Sequence, residues 1–124
     1  MTAALWCVLL AAVMPIVATT VAKAGGERYD NRDPRRWLEQ QQGFRARANA
    51  AQANSFEAFP FFAVAVIVAH LTQAPQDRVD ALAVIFVVAR AAYIVCYLAD
   101  WHWARSIVWT IGFVATITIF VTGT

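Results

Sequence analysis

The chain has 124 residues, room for a single domain, and 60% of them are hydrophobic with a mean hydropathy of +0.54, well above the roughly 45–50% apolar usage of soluble domains. Ten Lys and Arg against eight Asp and Glu leave a net charge of +2. Seven of the ten basic residues (Lys23, Arg28, Arg32, Arg35, Arg36, Arg45 and Arg47) lie between positions 23 and 47, so the excess belongs to one segment beside apolar spans. That is the pattern of membrane topology, and it excludes both a soluble globular domain and the basic face of a nucleic-acid binder.

The first apolar run, about 3–22, is long enough as a helix to cross a hydrocarbon core of about 30 Å. A secretory signal is the rival reading, because Val21-Ala22-Lys23-Ala24 offers small residues near a cleavage point. No basic residue precedes the run, and its apolar length exceeds a signal core of 7–15 residues, so a retained span is expected. Between 23 and 45 come Gly25-Gly26, Asn31, Pro34 and mixed charges, which predict an exposed loop with a helical start near Arg35. A second helix begins around Arg45 and crosses over about 46–72, with a kink expected at Pro60. Pro75 marks a short turn. A third span covers about 79–99 and a fourth about 103–121, separated by the Asp100-Trp101-His102 corner. The expected fold is therefore all-α, a single integral-membrane domain built as a four-helix bundle.

Short loops rich in Lys and Arg stay cytoplasmic. The 23–47 segment and the corner with Arg105 then face the cytoplasm, and both ends of the chain lie on the other side. The short, alanine-rich chain suggests a bacterial inner membrane. Trp37, Trp101 and Trp103 fit an interfacial aromatic belt, and His102 a solvated interfacial position. Cys7 and Cys96 sit inside apolar runs without CxxC or His-paired spacing, so they read as small buried hydrophobes and no metal site is expected.

Ionisable side chains inside a span need partners or a task. On the second helix Arg47, Asn54 and Glu57 are spaced i, i+7 and i+10, within roughly 80° of one another at 3.6 residues per turn. On the third, Arg90, Tyr93 and Tyr97 are spaced i, i+3 and i+7, with Arg90 near the middle of its apolar run. The two stripes are expected to face each other or a neighbouring subunit, with Glu57 as a partner for Arg90. Such a pair could merely hold helix register, whereas two phenols beside an arginine suit a wet pocket for an anionic ligand. Arg105, on the same side, adds a second cation.

These residues resemble a known family. Arg47 followed by Ala51-Gln52-Ala53-Asn54-Ser55-Phe56-Glu57-Ala58-Phe59-Pro60-Phe61 resembles the Asn-x-x-Glu-x-x-Pro signature of the MAPEG family, membrane-associated proteins in eicosanoid and glutathione metabolism. Arg90-Ala91-Ala92-Tyr93-Ile94-Val95-Cys96-Tyr97 resembles its Arg-x-x-Tyr-x-x-x-Tyr motif, and Arg105 falls close to its fourth-helix arginine. The resemblance implies a homotrimer with glutathione, as co-substrate, bound between subunits by Arg47, Asn54, Glu57, Arg90, Tyr93 and Tyr97. Arg105 would stabilise the thiolate, and a small hydrophobic electrophile would arrive from the membrane lipid. The implied function is a membrane-bound glutathione-dependent transferase or peroxidase.

Two positions depart from the pattern. Many members carry an arginine four residues before the asparagine, and here that position is Ala50, which implies weaker glutathione binding or another thiol donor. The Tyr97 to Arg105 spacing is one residue off some relatives. A non-catalytic protein that keeps the family scaffold and binds a lipid or a partner is the alternative that Ala50 favours. A small transporter or channel fits less well, because the fourth span offers few polar groups, chiefly Thr110, Thr116, Thr118 and Thr122.

Overall fold

The computed structural model describes residues 1–24 and 28–124; the expected Gly25-Gly26 loop element lies outside them. All regular structure among the described residues is helical: α1 (Ala3–Lys23), α2 (Pro34–Glu39), α3 (Phe44–Leu71), α4 (Gln76–Leu98) and α5 (His102–Val121). The four long helices are apolar enough to cross a membrane. α3 continues through Pro60, and its first turn starts at Gly43, whose φ of +60° is open to a residue without a side chain.

Helices α3 and α4 form the middle of the bundle, with α1 packed on both and α5 on the same pair from elsewhere on their surface. The buried face of α1 is a stripe of small residues, Ala4, Cys7, Ala11, Ala18 and Ala22, spaced three, four or seven apart. Within a bilayer there is no hydrophobic drive to bring helices together, so association rests on close backbone approach, and small residues permit it. The other face of α1 shows Leu9, Leu10, Val13, Ile16 and Val17. Water would not tolerate so broad an apolar surface on a monomer, whereas acyl chains do.

Phe62 of α3 and Phe86 of α4 are the large residues of the central core, stacked with ring centroids 3.9 Å apart and planes 6° apart. Phe62 is fully buried, so Phe62→Ala is expected to lower stability by about 3–5 kcal/mol, the usual penalty for an aromatic core deletion. Reversible unfolding in mixed micelles of increasing denaturing detergent measures it, and a loss below about 1 kcal/mol would contradict this packing.

The two connections between α3, α4 and α5 are short and closed alike. After α3, Gln73 adopts φ +57°, with Ala74 N donating to Ala69 O at 2.9 Å and Gln73 N to His70 O at 3.2 Å. After α4, Asp100 adopts φ +61°, with Trp101 N donating to Cys96 O at 2.8 Å and Asp100 N to Tyr97 O at 3.1 Å. Both are Schellman closures, which satisfy the last carbonyls of a helix and reverse the chain at once. The second reversal places Arg105, in the first turn of α5, beside the last turn of α4.

Two expectations are corrected here. Trp37 does not face a lipid interface: it is buried, its Nε1 donates to Arg28 O at 2.8 Å, and its ring meets Tyr29 edge to face. With Leu38 it anchors α2 against Ala22 and Ala48, so the charged connection is tethered to the bundle and is not wholly exposed. Trp101 and Trp103 are exposed, as a belt requires, and so is His102. Cys7 and Cys96 are free and buried as expected. At the far end, the Asp80 carboxylate accepts from Ala4 N at 2.9 Å and Thr2 Oγ1 from Leu5 N at 3.2 Å, so side chains satisfy the open amides of α1.

Candidate functional site

The two polar stripes meet, though through other contacts than the expected one. Arg90 is 3% exposed, and its Nη2 donates to Ser55 Oγ at 3.3 Å, while Ser55 Oγ donates to Ala51 O at 2.8 Å. Its guanidinium also lies 4.2 Å from the centre of the Tyr93 ring. Glu57 does not pair with it. Within the protomer Glu57 is exposed on the outer side of α3, because positions 55 and 57 lie about 200° apart on a helix and only one can face α4. Ser55 was not singled out by the sequence stripes; it is the polar residue on the otherwise apolar buried face Ala48, Ala51, Ser55 and Phe62.

Arg90, Asn54 and Glu57 nevertheless line one chamber of about 210 Å³ between α3, α4 and α5, together with Phe61, Trp109 and Phe113. Asn54 Oδ1 is buried and has no hydrogen-bond partner among the described residues. A buried acceptor left open is costly unless a ligand or partner donates to it. A second chamber of about 210 Å³ lies nearer the α4–α5 corner, lined by Tyr93, Arg105, Ser106, Trp109 and Thr110. In the other direction an apolar groove of about 410 Å³ runs along α3 and α5 past Phe61, Val64, Ile117 and Phe120.

The chambers are linked by a ladder of cations and rings. Arg105 lies 4.2 Å from the centre of the Tyr97 ring, Tyr97 meets Tyr93 edge to face with centroids 5.6 Å apart, and Tyr93 lies under Arg90. Cation–π contact steadies each guanidinium without neutralising it. Neither arginine has a carboxylate within 4 Å among the described residues, so no ion pair neutralises either charge, and each lines one of the chambers. Arg47 stands apart from both chambers: its Nε donates to Leu98 O at 3.3 Å, closing an open carbonyl at the end of α4.

The fold and this arrangement define an integral membrane protein of four spans, three of which line a cationic, phenol-bearing site near one end. A family model, that of the MAPEG family, matches residues 3–123. The chain belongs to the MAPEG family, a group of membrane proteins associated with glutathione-dependent transferase and synthase chemistry. No individually characterised protein and no solved structure matches it at a significant level.

Proposed function

We propose that the protein is a glutathione-dependent transferase or peroxidase acting on lipophilic electrophiles in the membrane. The observation that carries this reading is the Arg90–Tyr93–Tyr97–Arg105 ladder, two unneutralised cations on phenol rings, beside a chamber edged by Asn54 and Glu57. Arg90 and the two phenols suit carboxylates of the peptide, Glu57 its amine, and the open Asn54 Oδ1 a backbone amide. Arg47, engaged with Leu98 O apart from both chambers, is left out of this reading. Arg105 is the candidate catalytic residue: a cation beside the thiol favours the thiolate, which is the nucleophile. In the transferase reaction the sulfur attacks the electrophilic carbon, an S–C bond forms, and the bonding pair departs with the leaving group.

Exposed Glu57 supports a homotrimer with the site between subunits. A carboxylate on the outer face of a spanning helix costs a few kcal/mol against lipid, and a neighbouring copy would cover it. By the charge rule, the 28–45 connection lies in the cytoplasm and both ends of the chain outside it; the short, alanine-rich chain suggests the inner membrane of a bacterium.

Ala50, without the guanidinium usual at that position, favours the second reading, a non-catalytic scaffold for a lipid or partner. Calorimetric titration of the detergent-solubilised protein with glutathione, paired with conjugation of a chlorinated nitroarene, separates the two. The enzyme reading expects saturable binding below millimolar concentration and a conjugate. Absence of binding at millimolar glutathione would overturn it, and binding without conjugation of any electrophile would leave the scaffold.

A further inference from the structure

Aromatic side chains that the proposed thiol chemistry does not use divide the clefts along α5. Trp109 lines both the Arg105 chamber and the Arg90–Glu57 chamber, and Phe113 lines the latter and the apolar groove beyond it. The two rings lie nearly parallel, with centroids 5.1 Å apart and planes at 9°, because positions 109 and 113 are one turn apart on one helix face. Phe61 and Phe86 complete the aromatic lining of the middle chamber. Phe86 is held from behind by its stack on Phe62, while the Trp109 ring, in a residue 40% exposed, can be reached from outside the protomer. Any molecule passing from the groove toward Arg105 therefore meets flat rings, with Trp109 as the last wall.

Such a wall discriminates. A flexible alkyl chain gains little by leaving the bilayer for this groove, because lipid tails are as apolar as the side chains that line it. A planar conjugated molecule gains a directional contact that lipid cannot offer. The indole has the strongest negative face among the aromatic side chains. A conjugated electrophile is electron-poor by nature, since the group that makes its carbon attackable also withdraws density from its π system.

We propose that Trp109, braced by Phe113, is the specificity-determining residue of this site and selects planar, electron-poor conjugated electrophiles over flexible aliphatic ones. The proposal rests on reading the site as one for lipophilic electrophiles, but it concerns recognition and can be tested without any thiol.

The wild type, Trp109→Leu and Trp109→Phe, each reconstituted in lipid nanodiscs, are titrated calorimetrically with meta-dinitrobenzene, which is planar and electron-poor but has no leaving group. Nitrohexane serves as the aliphatic probe, and empty nanodiscs are subtracted. Trp109→Leu, apolar but without a π face, is expected to weaken dinitrobenzene binding roughly tenfold, Trp109→Phe by no more than about threefold, and neither to change nitrohexane binding. Equal dinitrobenzene affinity in the wild type and Trp109→Leu overturns the proposal, as does wild-type protein that retains no more dinitrobenzene than empty discs. If the expected pattern holds but glutathione does not bind, Trp109 keeps its role and the transferase reading fails. If glutathione is conjugated while the Leu variant binds dinitrobenzene normally, the reverse is true.

Discussion

Arg105→Ala is expected to bind glutathione with nearly wild-type affinity and to lose its thiolate. A free thiol titrates near 8.5, so at neutral pH only a few per cent is ionised, and an adjacent cation raises that fraction severalfold to tens of fold. With the cation gone, turnover should fall on the order of 10- to 100-fold, while the Michaelis constant for glutathione moves little. Thiolate absorbance in the ultraviolet on mixing protein with glutathione measures the first effect, and steady-state conjugation the second. The variant should fold normally, because the Arg105 guanidinium rests on the Tyr97 ring and is only partly buried. Arg105→Lys keeps the charge but not the planar stacking surface, so it should fall between the two. Undiminished thiolate absorbance in Arg105→Ala would remove Arg105 from the chemistry.

The second large effect is expected at Arg90, where stability and binding should separate. Arg90→Ala deletes a long side chain packed against α3 and α5, leaving Ser55 Oγ without its donor, the Tyr93 ring without its cation, and a gap beside Gly112. The expected loss is about 2–4 kcal/mol. Arg90→Met fills most of the same volume without charge. Burying a guanidinium with one hydrogen bond is itself unfavourable, and apolar replacements of buried charges are often neutral or stabilising. Arg90→Met should therefore unfold at or near the wild-type detergent concentration and still bind glutathione at least tenfold more weakly. If Arg90→Met bound glutathione like the wild type, Arg90 would be a packing residue and no part of the site.

Much of this was legible in the chain before its structure. Four spans of about the observed extents follow from run length and hydropathy, and the periodicity of Asn54, Glu57, Arg90, Tyr93 and Tyr97 is enough to place them on two stripes. What periodicity cannot specify is which edge of a stripe points inward. Asn54 and Glu57 are 300° apart going forward along α3, or 60° going back, so a small rotation of the helix decides whether the carboxylate faces Arg90 or the outside. The packing of Ala48, Ala51, Ser55 and Phe62 against its neighbours sets that rotation, and it turns Ser55 toward Arg90 and Glu57 outward. Arg47, on the same stripe by angle, is drawn away because an open carbonyl at Leu98 lies within its reach. Trp37 illustrates the same limit: a tryptophan beside a span is interfacial by statistics, and only the fold-back of α2 buries it.

By itself the sequence determined that this protein lives in a membrane, how many times it crosses, and which residues are too polar to face lipid. Those are one-dimensional properties, set by the transfer cost of each side chain along a helix of known rise. Only the tertiary structure decided the pairing of Arg90 with Ser55 and Tyr93, the outward turn of Glu57, and the placing of Arg105 over Tyr97 by the tight closure at Asp100. Only the tertiary structure, likewise, set Trp109 as the wall between two chambers. These depend on helix rotation and on turn geometry, which are settled by contacts between residues far apart in the chain.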